Sequence, residues 1–252
     1  MKRRPILVSL IMVVLLVAQP VGPALANHTA NCNDLYQNRW SGQTADGAKH
    51  GASGTLEGQA LDQCANPGPI EISGSFAFSN VERQGTANSI VQIGIGRCRK
   101  PGINGCDSTM RNYWAWGRDS SAPGCSGFAS RGPEPELVSN WSGAAADYKV
   151  YHKTDRWRFY IGPTEVNSIP EGSICWTATV ASWFGESWDV GDAIGGTAAN
   201  KFRISSTNYA NAENGAFAWT TFNAAAACNI SVGAPYLCDI VNATTIDVWT
   251  NR

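Results

Sequence analysis

Histidine is scarce in this chain, with three copies, and charged side chains make up only 15% of residues. His28, His50 and His152 lie near no useful cysteine pair, and no C-x-x-C spacing occurs, which excludes a zinc site of the ordinary pattern. There is no G-x-S-x-G, no H-E-x-x-H and no phosphate-binding Gly-rich loop. No histidine stands where a serine or cysteine triad would need one. Sustained helical periodicity is missing too, which argues against a helical bundle. Basic residues never cluster beyond pairs and triplets, and 19 Lys and Arg face 20 Asp and Glu. Nucleic acid and anionic membranes are therefore poor partners.

What is present begins with a leader. Lys2, Arg3 and Arg4 precede an apolar stretch from Ile6 to Ala18, and Ala24-Leu25-Ala26 forms a small-x-small cleavage site. Residues 1–26 read as a signal peptide. The run is shorter than the roughly 20 residues of a membrane span, and Pro20 and Pro23 end it. No later apolar run is long enough to cross a bilayer, so no membrane association is expected after cleavage. The mature chain, Asn27 to Arg252, loses three positive charges and becomes mildly acidic. Its length suits one large β domain, expected to be secreted and monomeric.

All eight cysteines fall in this mature part: Cys32, Cys64, Cys98, Cys106, Cys125, Cys175, Cys228 and Cys238. An even count in an exported chain reads as up to four disulfides. Cys98–Cys106 and Cys228–Cys238 are the expected pairs, because each closes a short loop containing Gly or Pro.

Residues 27–69 are polar and Gly-rich and read as an extended arm held by Cys32 and Cys64. From Ile70 to Arg252 the text alternates with period two, broken by Gly, Pro, Asn and Ser, as short antiparallel strands do. The clearest strand is Ser89 to Arg97: Val91, Ile93 and Ile95 form a core face, and Gln92, Gly94 and Gly96 share the other. Glycines inside a strand mark close approach of a ligand or another chain segment. Asn112 to Asp119 reads as a second strand. Tyr148 to Lys153 and Arg156 to Ile161 read as a hairpin around Thr154-Asp155, with Trp157, Phe159 and Ile161 on its core side. Ile174 to Trp188 is too long for one flat strand, so a bend is expected near Gly185. Lys201 to Ser205, Ala218 to Phe222 and Thr245 to Trp249 are further strands. The expected fold is all-β, an antiparallel two-sheet sandwich of jelly-roll type.

Among the carboxylates, Glu186, Asp189 and Asp192 are spaced by three. A glycosidase strand needs spacings of two or four to bring its pair to one face, so the two-carboxylate reading fits poorly. Glu186 lies among Trp183, Phe184 and Trp188, where desolvation would make it an acid or base; its structural alternative is an edge carboxylate bonded to an indole or an arginine.

The order of blocks resembles that of glutamic peptidases with a concanavalin-like β-sandwich: the fungal eqolisins, the plant neprosin-like group and related bacterial secreted proteins. The blocks are Ser89-Ile90-Val91-Gln92-Ile93-Gly94-Ile95-Gly96, Tyr113-Trp114-Ala115-Trp116, Trp157-Arg158-Phe159-Tyr160-Ile161 and Trp183-Phe184-Gly185-Glu186. Eqolisins use a Gln and a Glu on distant strands facing each other across a concave sheet. Neprosin-like enzymes use two Glu residues, the second in a Gly-Glu setting. By motif position the resemblance implies Gln92 and Glu186 as the dyad. This chain combines the Gln of one branch with the Gly-Glu setting of the other. It also carries a cysteine-bearing segment, Arg97 to Arg111, which would cap or block the groove.

The resemblance implies cleavage of peptide bonds at acidic pH, with Glu186 as proton acceptor and the Gln92 amide at the oxyanion, and without a metal or organic cofactor. Trp114, Trp116, Trp183 and Trp188 would shape a groove for an extended peptide, although core packing is the commoner role of any one tryptophan. A second class stays open. Ten tryptophans on a secreted sandwich also suit a non-catalytic protein that binds polysaccharide or a surface. Convergence of Gln92 and Glu186 favours the peptidase; a row of exposed, coplanar tryptophans favours sugar binding.

Overall fold

A computed structural model describes residues 39–57, 61, 63–64, 73–86, 88–100, 102–104, 106–188, 192, 201–212, 219–223, 228–230 and 236–250. The leader 1–26, Cys32 and Asp189 lie outside these residues. In chain order the strands are β1 (Arg39–Asp46), β2 (Gly51–Glu57), β3 (Ser73–Glu82), β4 (Ile90–Arg99), β5 (Asp107–Trp116), β6 (Glu136–Asn140), β7 (Ala146–Lys153) and β8 (Arg156–Ile161). They continue with β9 (Thr164–Pro170), β10 (Val180–Ser187), β11 (Phe202–Ala210), β12 (Trp219–Thr221), β13 (Asn229–Ile230), β14 (Tyr236–Asn242) and β15 (Thr245–Thr250). Among the described residues the only helical element is one 3-10 turn, Glu171–Ser173.

Two antiparallel sheets result. The first runs β13-β1-β10-β3-β4-β5-β6; the second runs β14-β15-β11-β2-β7-β8-β9, with β12 beside β11. Between them lies the main core. Val91, Ile93 and Ile95 of β4 and Trp183 of β10 meet Leu56, Val150, Phe159, Phe202 and Ile204 of the second sheet, all fully buried. The alternation read in β4 thus sorts its two faces as expected. The first sheet also carries a second apolar cluster on its outward face, built from Phe76, Phe78, Tyr113, Ala115, Phe184 and Trp188. A sheet that buries rings on both faces has something to cover or to bind on the outer one.

The hairpin expected around Thr154-Asp155 is β7–β8, with Lys153 opposite Arg156. Two expectations change. Residues 39–57 are not an irregular arm: β1 sits inside the first sheet beside β10, and β2 inside the second between β11 and β7. Their small side chains hid them, because neighbouring rings occupy the space above. A Cβ on Gly42 would run into Phe184, one on Gly51 would lie 3.1 Å from the Trp219 ring, and one on Gly54 would lie 3.2 Å from the Trp183 ring. The bend expected near Gly185 is absent as well. β10 pairs with β3 in unbroken register from Val180 to Ser187, and the chain turns earlier, around the 3-10 turn and Cys175.

Cys98–Cys106 and Cys228–Cys238 are both formed, and a third bridge joins Cys125 to Cys175. Cys64 is disulfide-bonded as well, to a residue outside the described set. The Cys98–Cys106 bridge closes the β4–β5 turn, so the segment Arg97 to Arg111 is chiefly a strand extension, with Arg97 opposite Met110 and Arg99 opposite Asp107.

Candidate active site

The outward face of the first sheet is concave and forms a groove of about 650 Å³. Its floor follows from strand parity. Even-numbered residues of β3 (Phe76, Phe78, Asn80, Glu82) face it, as do Phe184 and Glu186 of β10, Gln92 of β4 and Tyr113 of β5. Trp40 of β1 and Trp188 just beyond β10 line its wall.

Gln92 and Glu186 therefore stand on the same face of the same sheet, separated by β3. Glu186 is opposite Phe76, and Gln92 is opposite Asn80, four residues further along β3. They do not hydrogen-bond to each other. Tyr113 stands between them: Gln92 Nε2 donates to the Tyr113 hydroxyl at 3.4 Å, and the Tyr113 ring packs edge-on against Phe76 at 5.2 Å. This ring passes over bare backbone, since a Cβ on Gly96 would be 3.4 Å from Tyr113 Cδ1 and would run into Phe76. The glycines of β4 mark a close approach, as expected, but of the protein itself: aromatic rings at Gly96 and the neighbouring β3 backbone at Gly94.

Burial pushes the Glu186 carboxyl up to about 7, with repulsion from Glu82 as the second cause. Among the described residues no donor reaches the carboxylate, so nothing offsets the desolvation. The Tyr113 hydroxyl is held well above its ordinary value by burial, and the charge of Glu186 adds to this. The phenol thus stays protonated and available as a donor. Glu82 is also raised, mainly by burial, against the opposing effect of the hydrogen bond from Asn80 Nδ2 at 3.0 Å.

The expected substrate-binding tryptophans divide. Trp188 lines the groove and stacks obliquely on Phe76 at 4.7 Å. Trp183 does not: it is fully buried between the sheets, stacked on Phe222 at 4.7 Å, with Nε1 donating to the Ser53 carbonyl at 2.9 Å. Trp114 packs on Phe159 inside the sandwich, and Trp116 is covered by the Arg131 guanidinium at 4.2 Å. Parity explains the correction. Trp114 and Trp116 pair with Ile93 and Val91, and so share their inward face. Among the described residues the groove has Trp40 and Trp188 but no row of coplanar tryptophans. Asp192 is not a partner of Glu186 either: fully buried, it accepts the backbone N–H groups of Cys64 and Gly74 at 2.8 Å each.

Three groove residues escaped the sequence reading. Tyr113 stands in the sequence only as part of a block, and Asn80 and Glu82 lie on β3, whose alternation Phe-x-Phe-x-Asn-x-Glu from Phe76 to Glu82 is itself a signal for one shared face. The segment Arg97 to Arg111 does not fill the groove. It places Lys100 at one end, where its ammonium bonds Glu134 at 2.9 Å. Among the described residues no group of His, Cys, Asp and Glu is arranged to hold a metal ion.

Fold and site together define a concanavalin-like β-sandwich with a carboxylate on the floor of a concave sheet. The fold is similar to that of solved glutamic peptidases. SCP-B, a member of the eqolisin family of peptidases solved with the tripeptide Ala-Ile-His, matches 85% of this chain and 99% of its own, at a TM-score of 0.55 and 11% identity. Scytalido-glutamic peptidase, solved with a peptide-based transition-state analogue, matches over the same shares at a TM-score of 0.52 and 12% identity. At such identities the likeness concerns the fold. No family profile matches the sequence, and no curated protein matches it.

Proposed function

We propose that the protein is a secreted, metal-independent peptidase of the glutamic type, with Glu186 as its proton carrier. The observation that carries this reading is a desolvated carboxylate, without a donor among the described residues, set on the floor of an open groove beside two groups able to donate to an oxyanion. In the ionised form Glu186 takes a proton from water as the water oxygen bonds to the scissile carbonyl carbon. The negative charge that develops on the carbonyl oxygen is received by the Tyr113 hydroxyl and the Gln92 amide. When the carbon–nitrogen bond breaks, Glu186 returns the proton to the leaving amine. The Gln/Glu pair implied by the resemblance is thus extended to a Gln–Tyr–Glu set, because Tyr113 occupies the space between the other two.

A carboxyl raised to about 7 also changes the expected pH range. Residue types alone suggest an acid preference. A base that ionises near neutrality instead gives a kcat/KM that climbs about tenfold per pH unit and levels off near that value. The test is cleavage of denatured casein and of quenched fluorescent peptides between pH 3 and 9. Glu186→Gln is expected to lose at least about a thousandfold, and Tyr113→Phe or Gln92→Ala about ten- to thousandfold. No cleavage by folded protein at any pH would overturn the reading and favour polysaccharide binding.

A further inference from the structure

The groove is not uniform. Towards Trp188 it is aromatic, with Phe76, Trp40 and Phe184; towards the other end of β3 it is polar, with Asn80, Glu82, Gln84, Asn88 and Gln92. The polar end holds an excess of acceptors. Asn80, 2% exposed, spends its amide hydrogens on Glu82 Oε2 and Ser182 Oγ, both at 3.0 Å. This network fixes which way the amide points, since only its nitrogen can face a carboxylate. Asn80 Oδ1 is then left buried without a donor.

Among the described residues Glu82 accepts only from Asn80 and has no cationic partner. Its neighbours supply none. Val180 and Ile90 stand opposite it on β10 and β4, Ser182 and Gln92 flank Asn80, and Glu186 adds a like charge. Arg83 follows directly but turns away to the Thr177 carbonyl, at 3.2 Å. Among the described residues the groove has one lysine, Lys100, which is at the far end and already paired with Glu134.

We propose that Glu82, positioned by Asn80, determines substrate choice by receiving the cationic side chain of a lysine or arginine in a peptide bound along the groove. A carboxylate with one oxygen engaged and one open, beside an amide oxygen in need of a donor, matches an ammonium or guanidinium group, which brings only donors. Glu186 and Glu82 make the groove electronegative once the Lys100–Glu134 pair cancels, and this steers cationic peptides towards it. The proposal rests on the peptidase reading for cleavage, but not for binding.

A further effect follows. A bound cation offsets the charge of Glu82, which otherwise opposes ionisation of Glu186. A basic substrate therefore eases the formation of its own general base, and the acid limb of kcat falls at lower pH than that of kcat/KM.

The experiment uses peptides identical except for one position, scanned along the sequence, that carries Lys, Arg, acetyl-lysine, norleucine or Glu. Cleavage is measured with the wild-type protein, and binding by fluorescence anisotropy with Glu186→Gln. At one position Lys and Arg are expected to bind about ten- to hundredfold better than norleucine. Acetyl-lysine, which removes the charge without altering the protein, should lose that gain. Glu82→Gln should erase the preference, and Glu82→Lys should transfer it to the Glu peptide. Charge-dependent binding of this kind without any cleavage would uphold the subsite and overturn the peptidase reading. Cleavage with no preference for a basic residue at any position, or a preference that survives Glu82→Gln, would overturn the subsite and leave the peptidase reading standing.

Discussion

The proton on Glu186 matters to the stability of the molecule as well as to its chemistry. A carboxyl that ionises near 7 in the fold and near 4.5 in the unfolded chain holds its proton more tightly when folded. Between those values the native state binds more protons, so stability is full below about 4.5 and is lost as pH rises through about 7. Glu186→Gln removes that penalty. The variant should be more stable than the wild type at pH 8, by up to about 3 kcal/mol, and so melt higher, and the gap should close below about pH 5. Thermal melts of both proteins across that range check it; a gap independent of pH would show that the carboxylate is not desolvated. At this scale the sequence was readable where parity could be applied. Gln92 and Glu186 are singled out by the resemblance, Glu186 also by its aromatic setting, and strand parity puts both on the groove face. Trp183, Trp114 and Trp116 face the core: residue type points them to the groove, but Ile93 and Val91, the strand partners of Trp114 and Trp116, mark that face as core.

Among the elements, β4 has little freedom to vary. A Cβ on Gly94 would run into the Ala77 carbonyl and lie 2.8 Å from Phe78 Cα and Cβ, on a strand paired on both sides. Gly94→Ala must displace backbone, and should cost at least about 3 kcal/mol. Gly172→Ala, where nothing lies within 4 Å, should change stability by less than about 1 kcal/mol. Urea titrations of the two variants give the comparison. The same crowding explains which elements could be read. β4, β7 and β8 carry their own apolar residues and show them. β1 and β2 carry Gly, Ala, Ser and Thr because rings from β10 and β12 fill the space above them, and a strand that borrows its neighbours' bulk has no hydrophobic alternation of its own.

For the whole molecule, the disulfides differ in what they constrain. Cys125–Cys175 spans 50 residues and joins the long loop after β5 to the approach to β10, with Cys125 fully buried in the core. The other two described bridges span only 8 and 10 residues. By loop entropy the long bridge contributes about 4 kcal/mol and each short one about 2.5 kcal/mol. Replacing each pair by alanine should lower the melting temperature in that order, with Cys125 and Cys175 the most damaging; an equal loss from all three would argue against the entropic account. The placement of β1 bears on the order of events during synthesis. It is the first described strand, yet it pairs with β10, whose residues reach Ser187, and with β13 at Asn229–Ile230. Neither the centre of the first sheet nor the floor of the groove can close until most of the chain has left the ribosome. The hairpins β3–β4–β5 and β7–β8–β9 can form locally, but the pairings of β1 join residues far apart in sequence, and such contacts slow folding. Until the last third is made, the carboxylate that the finished molecule buries stays in water, and the groove does not exist.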